Sequence, residues 1–109
     1  MARTVNAFID FVAKVNEFSA EERAKISKAF RKDLKAYKVS GAIMKIVESN
    51  SDKVPIYINV MMQQCRKKAF AEEFNSECYR LRKLYCRTRP DLYDKIQDLY
   101  EVVVLNAQM

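Results

Sequence analysis

The chain has 109 residues, half of them apolar, and a net charge of +6 from 20 bases and 14 acids. With one Gly and two Pro it lacks the turn residues a strand-rich fold needs, and with no His it lacks the commonest general base and a principal zinc ligand. Length and apolar content suit one all-α domain spanning residues 1–109.

In the first segment Val5, Phe8, Ile9, Val12 and Val15 recur at spacings of three and four, which predicts a helix from Thr4 to Glu17 with that stripe turned inward. Ser19 followed three residues later by Glu22 is a capping box, so the second helix is expected to start at Ala20. It reads on through Ile26, Phe30, Leu34 and Tyr37 until Ser40 and Gly41, where glycine is expected to end it. A short third helix then runs from Ala42 to Glu48.

After a polar loop, Pro55 suits the first turn of a helix, where its missing N–H costs nothing. A long central tract follows, as one bent helix or two, with Ile56, Val60, Phe70, Phe74, Cys78, Leu81 and Tyr85 near one line. Lys67 falls in the same line, and Asn75 with Ser76 weakens the middle. Pro90 opens a last helix striped by Leu92, Ile96, Leu99 and Val103. The expected architecture is a compact bundle of about five helices.

Between Ile56 and Cys65 a second apolar set, Ile58, Met61, Met62 and Cys65, lies away from Ile56 and Val60. A helix apolar all round is either central or continues its packing into another subunit. The second option makes those four residues a partner or dimer interface, and a homodimer is expected.

Residues 23–38, RAKISKAFRKDLKAYK, hold seven bases and one acid, and so carry the charge of the whole chain. Lys28, Arg31, Lys35 and Lys38 project together on a helical wheel, flanked by Arg23, Lys25 and Lys32, opposite Ile26, Phe30, Leu34 and Tyr37. Like charges three and four residues apart repel by a few tenths of a kcal/mol per pair, a repulsion that a bound polyanion relieves. A solvated helix with ordinary neighbours would mix its signs. Nucleic acid is therefore the expected ligand, held by its phosphates without regard to sequence. The second helix also lacks the Asn, Gln and Ser that accompany Arg in base readout, so shape and charge are expected to dominate, with RNA ahead of DNA.

A second cluster, Arg80, Arg82, Lys83, Arg87 and Arg89, contains no acid. Arg80, Lys83 and Arg87 share a side, with Tyr79 and Tyr85 interleaved as possible stacking rings, although Tyr85 also belongs to the apolar stripe and Glu77 can pair with Arg80.

Three cysteines at wide spacing make neither a zinc site nor a disulfide framework, and no leader sequence is recognisable, which points to a reducing intracellular compartment, cytoplasmic or nuclear. No cofactor is expected. Adjacent carboxylates such as Glu21 with Glu22 diverge by about 100° on a helix and cannot converge on a substrate, so no enzymatic function is expected. The longest uncharged run, Val54 to Cys65, falls short of the roughly 20 residues that cross a bilayer, and attachment to an anionic membrane surface is the least favoured alternative. Docking of a protein partner on the apolar surface around residues 56–65 is the main rival to nucleic-acid binding. Retroviral matrix domains, nodavirus-type silencing suppressors and small phage regulators are similar in composition and architecture only, none of them matching by motif, and a viral accessory protein would fit such a short sequence.

Overall fold

Where each apolar stripe points decides how the chain is cut into helices. The computed structural model describes the backbone of residues 2–107 and the side chains of residues 9–105. Six helices follow one another, and there is no strand among the described residues: α1 Ala2–Glu17, α2 Ala20–Ala36, α3 Val39–Glu48, α4 Val54–Gln64, α5 Lys68–Tyr85 and α6 Pro90–Ala107. The all-α expectation holds, with six helices in place of about five.

Ser19 caps α2 as its spacing predicts. Its Oγ accepts from the Glu22 N–H at 3.1 Å, and the same hydroxyl donates to the Glu22 carboxylate at 3.0 Å. The far end differs from expectation, because α2 stops at Ala36 and α3 already starts at Val39. The reason is a phase shift. Val39, Ala42, Ile43, Ile46 and Val47 are all buried, but nine residues at 100° each carry Val39 roughly 180° round from Phe30. A continuous helix would aim this second stripe to the side where the lysines stand. Tyr37, which is extended, and Lys38, which is not helical, turn the chain instead, and both stripes reach one core.

Gly41 therefore lies in the first turn of α3 and has no positive φ. Its use is closeness: a Cβ placed there would stand 2.9 Å from the Tyr37 Cβ, an atom tied to the backbone and unable to swing away. Gly→Ala in a helix normally gains about 1 kcal/mol, whereas forcing an extra methyl into a tight contact loses 1–3 kcal/mol. Gly41→Ala is accordingly expected to lower stability by about 1 kcal/mol in urea denaturation, and a gain of that size would disprove the contact.

The central tract is two helices. It breaks at Cys65 to Lys67, where Arg66 N–H donates to Gln63 O at 3.3 Å and Lys67 N–H to Gln64 O at 3.0 Å. Unbroken, the stripe would bury Lys67; broken, Lys67 is exposed at the N-cap position of α5 with no side-chain capping bond, and Asn75 and Ser76 sit harmlessly on the outer face of that helix. Helix α4 packs against α1, α2, α3 and α6, which explains why it is apolar all round. α5 packs on α3 and α6, and α1 lies on α4 and α6.

Helix α1 is rotated from its expected setting. Phe11 is buried and Val15 and Phe18 half-buried, while Ile9 and Val12 are 57% and 40% exposed. The side chains of Val5 and Phe8 lie outside the described residues.

Cys65 and Cys78 lie in the core, and burial pushes both thiols up to about 12 from the ordinary 9.0. A raised thiol pKa means the folded state holds its proton where the unfolded chain has lost it. The resulting stability is complete below pH 9.0 and is lost between there and pH 12. The urea midpoint is expected to fall further across this window in the wild type than in Cys65→Ala/Cys78→Ala. In the native protein at neutral pH a maleimide should label only Cys86, the exposed thiol.

Candidate nucleic-acid interface

The cationic side of α2 exists because its opposite side is anchored. Phe30 is wholly buried and stacks on Tyr57 of α4, with ring centroids 4.6 Å apart and planes 19° from parallel. Leu34 packs beside it at the edge of the core. Asp33, the single acid of the basic stretch, turns off the cationic face towards α3 and pairs with Lys45. That contact holds the Lys45 ammonium above its usual pKa, chiefly through the hydrogen bond to Asp33, and Lys45 also lies 5.8 Å from the centre of the Tyr57 ring.

With Asp33 turned towards α3, the middle of the outer face keeps its cations without acids among the described residues. Lys28, Lys32 and Lys35 are exposed, and no carboxylate among the described residues lies within 4.0 Å of them. Arg31 is exposed and donates to the neutral Gln63 Oε1 at 3.4 Å, a long contact that leaves its charge uncompensated. Lys25 meets Glu21 at 3.5 Å, but both side chains are more than three-quarters exposed, and such pairs contribute well under about 1 kcal/mol.

Two members of the expected face stand elsewhere. Arg23, seven residues before Phe30, is half-buried in line with the inward stripe. Lys38 lies beyond the end of α2, exposed in the corner before α3, so the helical wheel does not apply to it. The cationic rod is thus Lys25 to Lys35, with Lys38 at its tip.

The second cluster is partly committed. Arg80 pairs with Glu77, its Nη2 2.9 Å from the carboxylate. Arg89 grips Asp91 with two hydrogen bonds of 3.1 and 3.0 Å and holds that carboxyl below its usual value. Arg82 is fixed against α6: Nε donates to Cys78 O at 3.2 Å, Nη1 donates to Gln97, and the guanidinium lies 4.7 Å from the centre of the Tyr100 ring. Lys83 and Arg87 are exposed and have no carboxylate within ion-pair distance among the described residues. Arg87 stands in the turn after α5 and not on the helix itself. Tyr85 packs against the core and is no stacking platform, whereas Tyr79 is 64% exposed. The two clusters ride on different helices that share α3 as a neighbour.

The apolar face expected for a partner is largely inside. Met61 has no exposed surface and Cys65 almost none, while Ile58 and Met62 are half-buried against the same core. Helix α4 satisfies its second stripe within the chain, which removes the physical reason for placing a homodimer there.

No group of three or more His, Cys, Asp or Glu among the described residues is placed to hold a metal. Among those residues no helix is long and apolar enough to cross a membrane. The chain matches no known protein family, no curated protein and no solved structure.

Proposed function

We propose that the chain binds nucleic acid through the phosphate backbone, without an enzymatic step and largely without regard to sequence, using the exposed face of α2. Lys28, Arg31, Lys32 and Lys35 repel one another along about two turns of helix and meet no acid among the described residues, while Asp33, the single acid of residues 23–38, pairs with Lys45. That uncompensated row carries the reading. A regular series of phosphates neutralises such a row and releases its own condensed counterions on doing so. RNA is placed ahead of DNA because recognition by shape and charge is the usual way in which an RNA duplex is held.

Salt dependence tests the proposal. Four phosphate contacts on B-DNA give a log–log slope of affinity against salt of about −3 to −4, so gel shifts with generic duplexes are expected to fade between low and physiological salt. Binding that is absent at low salt, or that ignores salt, refutes it. A captured protein partner that survives nuclease and depends on Met61 would point to the 56–65 surface instead. The burial of Met61 gives that rival no exposed anchor.

A further inference from the structure

Between α5 and α6 lies a groove of about 360 Å³, lined by Tyr79, Arg82, Lys83, Cys86 and Tyr93. Its volume is at the small end of the roughly 300–1,000 Å³ typical of ligand pockets. Its lining holds two cations and two phenol rings and no acid. Tyr79 and Lys83 are one helical turn apart on the same side of α5, about 5–6 Å at Cβ. Tyr79 leaves most of its ring in water and forms no stacked ring pair among the described residues, unlike Phe30 and Phe74, which stack on Tyr57 and Tyr100. Arg82 is held rigid by Cys78 O, Gln97 and the face of Tyr100, and forms a fixed cationic wall.

We propose that this groove is a subsite for one unpaired base of a single-stranded nucleic acid, stacked on Tyr79 with its flanking phosphate at Lys83. A nucleotide offers both things the groove asks for, a flat π-face and an anion within one helical turn of it. A duplex offers only the anion, because its bases are already stacked on each other. The subsite therefore distinguishes single strands from duplexes, a discrimination that the phosphate-holding face of α2 cannot supply. The inference rests on the nucleic-acid reading given above, and adds to it the class of strand.

The probes are a twelve-nucleotide oligouridylate and an RNA duplex of about the same length, titrated at low salt against the full chain. Six tyrosines and no tryptophan make tyrosine fluorescence a direct reporter of stacking. Oligouridylate is expected to quench the wild type. Tyr79→Ala should lose about tenfold or more in affinity for the single strand together with most of the quench, Tyr79→Phe should keep both, and duplex affinity should be the same in all three. Because Tyr79 is exposed, its truncation leaves the core intact, which circular dichroism checks. Equal single-strand binding by wild type and Tyr79→Ala overturns the subsite, as does a wild type that binds the duplex and not the single strand; in both cases the α2 reading survives. A wild type that binds neither probe overturns both.

Discussion

Reversing three charges on α2, in the variant Lys28→Glu/Arg31→Glu/Lys35→Glu, is expected to abolish gel shifts with duplex RNA and DNA while leaving the protein folded. Each of the three cations is exposed, and together they lose nothing internal but the 3.4 Å contact from Arg31 to Gln63. The fold therefore changes by no more than about 1 kcal/mol, through new helical neighbour pairs such as Glu at position 28 beside Lys32. Binding changes far more. Three phosphate contacts become three repulsions, affinity falls on the order of a hundredfold or more, and the salt slope of any residual binding drops by about 3. Matched thermal unfolding curves with a lost gel shift are the supporting result. Wild-type affinity in the triple variant would show that α2 is not the interface, however exposed its lysines are. The same three changes provide the control for the α5–α6 groove, because they weaken single strand and duplex alike, whereas Tyr79→Ala weakens the single strand alone.

Much of this arrangement is legible in the sequence because it is local. The capping box at Ser19 and the prolines at positions 55 and 90 mark helix starts that the structure places within a residue, since each supplies or removes a specific backbone hydrogen bond at a specific position. Net charge on residues 23–38 is local too. Errors arise where the answer depends on a partner element. Gly41 is a natural stop signal, and the composition around it favours a break there. The break falls at Tyr37 and Lys38 because the stripe beginning at Val39 must reach the same core as Phe30 from the opposite phase. That signal was present in the spacing of the apolar residues and outweighs the glycine. Lys67 in line with Val60 and Phe74 carried a similar message, that no uninterrupted helix could run through it.

Other features have no local signature. Phe11, Val15 and Phe18 form as good a stripe as Ile9 and Val12, and only the presence of α4 and α6 decides which side of α1 is covered. The second apolar stripe of α4 is equally ambiguous, since a neighbour in the same chain and a neighbour in another chain leave the same trace in the sequence. The pairing of Asp33 with Lys45 has no trace in the sequence. It depends on how α2 and α3 fold against each other, and it leaves Lys28, Arg31, Lys32 and Lys35 with no acid partner among the described residues. Tyr93 as a wall of the α5–α6 groove was likewise out of reach, because nothing in the last helix distinguishes it from its neighbour Tyr100 until the helices are packed.

Phe30→Ala is expected to be the most damaging single substitution for stability, at about 3–5 kcal/mol. Phe30 has no exposed surface, and its ring is the one fully buried side chain through which α2 holds to the body of the protein. Removing it forfeits the transfer of the ring out of water, leaves a cavity in the core, and ends the stacking on Tyr57. A chain of this length is stable by roughly 5–15 kcal/mol, so the loss lowers the melting temperature by about 12–25 °C, or unfolds the protein at room temperature if the reserve is small. Phe30→Leu keeps most of the volume and should cost no more than about 1.5 kcal/mol, so it remains foldable and serves as the readable variant. A double-mutant cycle with Tyr57→Leu isolates the ring pair, for which a coupling of about 0.5–1.5 kcal/mol is expected. Phe30→Leu should also retain duplex binding, because it leaves the outer face of α2 untouched. A Phe30→Ala protein that unfolds within about 1 kcal/mol of the wild type would mean that α2 is not seated on α3 and α4 as described, and the direction in which its lysines point would lose its structural basis.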